Sequence, residues 1–556
     1  MAVLWRMNRV IMKYMHGKKI AEYTSIFLFC MLLPCILSAQ EALKSAEDEY
    51  YNFLALQGLA ERPTLNYRTL SDSVWNIAHD TEHPWQKQNL GTWHNLFGDF
   101  QMRAYGPELF MSGNTAAPYG QNDGVLWQGR GFNALLKGGV RFEGYGVELT
   151  LLPHLAFSQN ASFDIMPSAY ESEYGYHWGY GVDAPQRFGN KPFFDWDFGD
   201  SEIRYTWKTL TVGFGTQAIW LGPSYLNSML HSNNAPAYPK FDIGLRRQKV
   251  ILPKLNWYLG DVEARFWTGR LTESDYFDSD DTNDYTMLHG FSFAYAPSFL
   301  PGLTLFANRV CLVDWTWKNL KFLFPSKENT TEDQKMSFGY SWVFPQVGLE
   351  VYGELGLDDY VPQGFPFGYW RYPLHTMLFT VGLKKDFPVV KSRNIYGTLI
   401  FEWNSMEMSQ DFQLQWQYSP YFHHQLTHGY TNRGQWLGAG SGWGGNSQLL
   451  EVKLYYPKGT SSLFISRNNP DNNFIYSKAI YEAASKELEM TYFTSWRANF
   501  NIGTNTNYFL TEKISIGGGL LYNLIINPYY YMYKTDTWAD SLMYNFSMQL
   551  SIKLYL

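Results

Sequence analysis

The chain closes on "YNFSMQLSIKLYL" (544–556), which reads as two interleaved lists. Tyr544, Phe546, Met548, Leu550, Ile552, Leu554 and Leu556 are apolar, while the positions between them are polar or amphipathic. A period of two predicts a β-strand with one apolar and one polar face. The same alternation recurs in "DVEARFW", where Val262, Ala264 and Phe266 oppose Asp261, Glu263, Arg265 and Trp267. In "LEVKLY", Leu450, Val452 and Leu454 oppose Glu451, Lys453 and Tyr455. In "GLEVYGEL", Glu350, Tyr352 and Glu354 share one face. A dry core holds such charges only at great cost, whereas a wet or hydrogen-bonded lumen accommodates them.

Counting such segments from residue 97 onward predicts about eighteen strands. The connections between them alternate. Short ones fall near 144, at Lys208 and at 251–255, 298–302, 345–346, 457–460 and 508–512. Long ones fall at 107–130, 158–200, 219–238, 269–285, 313–333, 357–373, 405–444, 469–490 and 527–540. Short turns at one end and long loops at the other are the layout of an outer-membrane barrel. The expected fold class is therefore all-β: a transmembrane antiparallel β-barrel over 96–556, its last strand pairing with its first and its apolar face meeting lipid. Residues 40–95 form a separate N-terminal segment, expected on the periplasmic side. It has a helix over 44–60 and a second short helix over 71–79, capped by Ser71.

Composition fits this picture. Aromatic residues make up 18% of the chain, yet mean hydropathy is −0.30, as expected for strands apolar on one face only. Residues 1–39 read as a cleavable export signal: a basic start (Arg6, Arg9, Lys13, Lys18, Lys19), an apolar run over 26–37, and a small-residue cut after Ala39. Its loss takes Cys30 and Cys35, so a disulfide-stapled fold is excluded. From 44 basic and 51 acidic residues it leaves 39 and 50, a net charge of −11, which argues against a nucleic-acid partner. No apolar run after residue 39 is long enough for a transmembrane helix.

Three ordered stretches carry a resemblance. "WLGPSYLNSMLHSNNAPAYPKFDIG" (220–244), "VYGELGLDD" (351–359) and "HGYTNRGQWLGAGSGWGGNSQ" (428–448) resemble signatures of the Wzi family, in particular its Bacteroidetes-type members. With "EYYNFLALQGL" and "LNYRTLSDSVW" near the N-terminus, the resemblance runs from about residue 45 to the end. It implies an eighteen-stranded outer-membrane barrel with a small periplasmic helical element. The implied role is lectin-like: the barrel binds capsular polysaccharide or exopolysaccharide and helps assemble or retain it at the cell surface. The barrel is not itself the export channel, but polysaccharide export machinery is an implied neighbour. The alternative is a general diffusion porin or solute channel, and a third class is a surface adhesin.

Loop 219–245 supplies the candidate binding residues. Asn227, Ser228, Ser232, Asn233 and Asn234 offer neutral donors and acceptors, and Trp220, Tyr225 and Tyr238 offer flat faces for sugar rings. A self-satisfied loop folded into the barrel mouth uses the same residues. His428, Tyr430 and Arg433 join the set through the later motif. Glu354, Asp358 and Asp359 form a rim acidic group expected to pair with Arg433 or Arg371. "PYYYMYKTDTW" (528–538) reads as an aromatic girdle at the lipid headgroups. No nucleophile–base–orienter set emerges, so no catalytic residue is assigned and an enzyme is not expected. The acidic stretch 273–285 lacks the turn Gly and terminal Glu spacing of a Ca²⁺ loop, and His424 and His428 (in a cluster with His423) would share a Zn²⁺-suited face only in a helix, which the flanking Tyr, Gly and Pro disfavour, so no metal and no cofactor is called for.

Overall fold

The computed structural model describes residues 40–41, 43–77, 82–168, 171–177, 182–319, 332–358, 367–371, 376–407, 420–474, 496–530 and 542–556. The expected export signal, 1–39, and Asp359 lie outside them.

A closed antiparallel barrel of 18 strands runs from Phe100–Asn114 to Leu542–Leu554. Closure joins 547–553 to 108–114, Ser547 opposite Asn114 and Lys553 opposite Glu108. The alternation decides the faces. In the last strand Phe546 is 57% and Met548 64% exposed, while Asn545 and Ser547 are buried. Leu450, Val452 and Leu454 point outward and Glu451, Lys453 and Tyr455 inward. Exterior Phe, Leu, Ile and Val form the apolar band that a spanning barrel presents to lipid.

Strand boundaries depart from the expected ones in informative places. The first strand continues to Asn114, so the loop expected over 107–130 begins at 115. The third strand breaks between Val147–Leu151 and His154–Ser158, at Pro153, which has no N–H for the ladder. Its partner breaks in step, into Phe193–Asp197 and Glu202–Trp207, and so begins earlier than expected. The second short helix does not form. Val74–Ile77 is instead a strand pairing with Ala60–Glu61, as its Val, Trp and Ile favour. Ser71 does not cap it; its amide and hydroxyl exchange hydrogen bonds with Gln217 at 3.1 and 2.8 Å.

The N-terminal segment is lodged inside the barrel. Helix Ala46–Leu56 is capped by Ser45, whose side chain accepts from the Asp48 N–H. It closes the short-turn end. Tyr50 stacks on Trp85 and Phe53 on Tyr455, with ring centroids 4.0 and 4.2 Å apart. Beyond the helix the chain threads the lumen, where inward strand charges receive it. Arg62 makes a two-pronged pair with Glu350 (2.8 Å each), and Asp72 accepts from Arg246 (2.6 Å) and Arg265 (2.9 Å). Glu263 accepts three consecutive backbone N–H groups, from Leu65, Asn66 and Tyr67, at 2.8, 3.0 and 2.7 Å. Irregular backbone buried in a lumen must find such partners, since an orphaned N–H costs about 1–3 kcal/mol.

Glu263→Leu orphans three buried donors at once. The expected loss is about 3 kcal/mol or more, confined to the inserted segment. Limited proteolysis in detergent should cut within 43–77 in the variant and not in wild type, while the barrel keeps its heat-modifiable gel mobility.

Candidate functional site

At the long-loop end two loops fold into the mouth and hold each other. Glu402, on an inward strand position, accepts the N–H groups of Tyr225, Leu226 and Asn227 at 2.5, 3.1 and 2.8 Å. Ser232 reaches the later loop, its N–H donating to Leu437 O (2.8 Å) and its hydroxyl to Gly438 O (2.6 Å). Tyr430 donates back to Leu230 O at 2.6 Å. Ile219, Leu221, Met229, Leu230 and Leu437 bury their side chains in this seam.

This arrangement turns most of the expected binding residues inward. Trp220 is fully buried; its indole N–H donates to Ser224 O, and the Lys44 ammonium sits 4.0 Å over its ring. Ser228 donates to Leu221 O and His231 O. Tyr238 meets His231 Nε2 at 2.7 Å. Asn227 Oδ1 accepts from Gln121 and from Ser441 N–H. Asn234 bridges loops, accepting from Asn122 N–H and donating to Trp436 O. Asn233 accepts the Gly124 N–H through its backbone carbonyl. His428 and Tyr430 are buried. The self-satisfied loop is the arrangement found, and of the expected set Tyr225 and Asn234 face open space.

The acidic group pairs differently from expectation. Asp358 meets Lys335 at 3.2 Å rather than Arg433 or Arg371. Arg433 pairs with Asp195. Glu354 is buried with its carboxylate under Gly222 and pairs with neither arginine among the described residues. His423 and His424 lie side by side with ring centroids 4.7 Å apart and planes tilted by 43°, while His428 turns away to Thr286 at 2.9 Å, so the three do not converge. Tyr530, expected in a lipid-facing girdle, is buried in the loop seam and donates to Pro470 O; 531–538 lie outside the described residues.

The open space is a two-part cavity. Its outer part, about 370 Å³, is lined by Trp127, Phe163, Tyr176, Phe188, Trp436 and Trp443. Its inner part, about 470 Å³, is walled by Gln128, Asn468, Asn499, Asn501, Asn505 and Gln549. Trp127, Asn234, Gln435 and Asn468 line both, so the two adjoin. Asn468 and Asn499 are directly opposed on neighbouring strands. Four buried carboxamide oxygens of residues in the inner wall have no partner among the described residues, Asn122 Oδ1, Gln128 Oε1, Asn468 Oδ1 and Asn499 Oδ1, and neither has the Ser547 hydroxyl. Flat aromatic faces beside free carboxamide oxygens suit a ligand with apolar ring faces and many hydroxyl donors. Sequence reasoning passed over these residues. The signal was present in "LWQG" (126–129) and in the inward alternation of Asn499, Asn501 and Asn505.

Residues 146–309 match the family described as capsule assembly protein Wzi. Among solved structures, the chain is similar to Wzi of Escherichia coli, an outer-membrane protein involved in group 1 capsule assembly and a carbohydrate-binding β-barrel. That likeness covers 94% of this chain and 100% of the other, at 13% identity and a TM-score of 0.59. The chain shares the fold of that barrel. Looser similarities extend to OccK8 (OprE) of Pseudomonas aeruginosa (8% identity, 82% of this chain and 98% of the other, TM-score 0.40). They also extend to OprB of Pseudomonas putida (11% identity, 82% and 94%, TM-score 0.34). No curated protein sequence matches the chain.

Among the loop carboxyls of this barrel, burial raises Asp123, Asp183 and Glu273, the last up to about 9 with help from the neighbouring Asp183. Burial pushes Asp123, beside the inner cavity, from 3.8 up to about 7. Burial does the same to Asp183, which accepts from the N–H groups of Ser274 and Gly434. His428, 3.9 Å from Asp183, is held down to about 4 by burial and is neutral above that. A raised carboxyl pKa means the folded state holds a proton that the unfolded chain releases near pH 4. The contribution of Asp123 and Asp183 to stability therefore falls as pH rises from about 4 through 7. Histidines buried in the neutral form, His428 and His231, oppose this by gaining stability as pH rises to 6.5, so the carboxyl contribution is read as the difference between wild type and variant unfolded in detergent at pH 5 and pH 8. Asp123→Asn with Asp183→Asn should remove that contribution, which for each carboxyl runs at about 1.4 kcal/mol for every tenfold fall in proton concentration across this range.

Proposed function

We propose that this protein is an outer-membrane, lectin-like barrel that binds capsular polysaccharide or exopolysaccharide and helps assemble or retain it at the cell surface. The observation that carries the reading is the cavity: an aromatic vestibule opening onto a wall of unpartnered carboxamide oxygens, set among the long loops. Its ligand chemistry is that of a sugar chain, whose rings stack and whose hydroxyls donate many modest hydrogen bonds. Residues 1–39 serve as the export leader, 40–95 as the inserted N-terminal segment, and 96–556 as the barrel in contact with outer-membrane lipid. The role is binding and not catalysis, and export machinery that delivers the polymer is the partner this reading calls for.

Of the residues expected from the loop motif, Tyr225 and Asn234 contribute cavity wall. Trp220, Asn227, Ser228, Ser232, Asn233, Tyr238, His428, Tyr430 and Arg433 are assigned to framing it. The filled lumen favours this reading over a diffusion porin, which needs an open aqueous path. Planar-bilayer recordings of the purified protein should show no steady conductance, and a stable open channel would point to the porin.

A deletion strain should shed polysaccharide into the medium at unchanged total synthesis. Wild type should restore retention. Trp127→Ala, which removes a ring shared by both parts of the cavity, should restore less and bind extracted polymer about tenfold more weakly, about 1.4 kcal/mol. Full retention in the clean deletion would overturn the proposal.

A further inference from the structure

The cavity has a floor. Its inner end is bounded by Lys44, Glu49, Tyr225 and Glu451. These groups are bonded to one another. The Tyr225 hydroxyl shares its one proton between Glu451 (2.9 Å) and Glu49 (3.0 Å), and Lys453 donates to that same hydroxyl at 2.9 Å and pairs with Glu49. Lys44 donates to Tyr225 O at 2.5 Å. Behind them lies helix Ala46–Leu56, packed through Tyr50 and Phe53 against Trp85 and Tyr455. The next space below, which shares Lys44, Glu49 and Tyr225 with the floor, holds only about 30 Å³. That is room for a water and not for a sugar ring. The barrel wall is continuous around the sides. A polymer passing through the middle of a site needs an entrance and an exit, and this cavity has no exit toward the short-turn end among the described residues.

The chemistry of the inner wall narrows the ligand further. Asn122 and Gln128 have their carboxamides oriented by their own NH2 groups, which donate to Leu226 O (2.9 Å) and Asp123 Oδ2 (2.6 Å). Their oxygens, with those of Asn468 and Asn499, are buried acceptors without a partner among the described residues, in side chains that line the cavity. Acceptors match hydroxyl donors. A carboxylate or sulfate has only acceptors to offer and would be repelled there. The ammonium that lines the floor, Lys44, is held by Tyr225 O and the Trp220 ring, and that of Lys453 behind it is matched by Glu49 and Glu451.

Building on the polysaccharide reading above, we propose that the cavity is a chain-end site: it takes an uncharged, hydroxyl-bearing terminal sugar of the polymer head-first, with the following residues lying across the aromatic vestibule. Binding then counts chain ends and not polymer mass.

The test uses the full-length protein in detergent and polysaccharide extracted from the cells that make it, intact or cut by mild acid into fragments. Each preparation competes against a fluorescent fragment. For a chain-end site, potency per unit mass rises with the number of ends, about tenfold for fragments tenfold shorter. Asn468→Leu with Asn499→Leu, which replaces facing acceptors on the wall, should abolish that gain while the heat-modifiable barrel persists. Equal or lower potency per mass after cutting would overturn the chain-end site and leave polysaccharide binding standing. An unchanged gain in the double variant would remove the end from this cavity. If neither intact polymer nor fragments compete, the polysaccharide reading itself fails.

Discussion

An irregular chain inside a barrel must find a partner for every backbone N–H it carries, and this requirement organises the molecule. An eighteen-stranded wall encloses more space than its own side chains fill. Here the space is taken by the N-terminal segment and by inward-folded loops, whose own ladders are only a few residues long. The wall supplies the acceptors. Glu263 takes three consecutive N–H groups of the N-terminal segment, and Glu402 takes three of the 219–238 loop. Each inward glutamate thereby fixes the path of a segment with no regular structure. The arginine–carboxylate pairs around Asp72 and Glu350 neutralise charges that a low-dielectric interior would otherwise penalise.

The cavity follows from that filling. It is the part of the lumen that the inserted chain leaves open, between loop 115–130 on one side and the strands around Asn468, Asn499 and Asn505 on the other. Its floor is the helix that closes the short-turn end, and its vestibule is made where the folded loops bring tryptophans and tyrosines together. Stability and recognition therefore share one construction. The groups that plug the barrel also determine where a ligand stops.

The residues the motif singled out illustrate the difference between marking a site and touching a ligand. Ser228, Ser232 and Tyr430 are spent on carbonyl oxygens of neighbouring loop backbone, at distances of 2.5–2.6 Å. Their chemistry is that of turns and seams, and a polar residue type alone does not say whether its hydrogen bonds end on a ligand or on the chain itself. Trp127 and Asn499, by contrast, stand in no motif and acquire their place from strand register and loop folding.

The sequence by itself determined the barrel. A side-chain period of two leaves each strand residue only two faces, so alternation fixed which face meets lipid and which meets the lumen, as Phe546 and Asn545 show. The rhythm of short and long connections determined which end carries the loops. The inward charges of Glu263, Arg265 and Glu350 announced a lumen that is not dry. Only the tertiary structure decided what fills it. Pairings such as Arg62 with Glu350 or Tyr225 with Glu451 join residues more than two hundred positions apart, which no local period encodes. The closed floor, the free acceptors above it and the exclusion of a through-path depend on those long-range contacts, because whether a polar group is spent or available is settled by its neighbours in space and not in sequence.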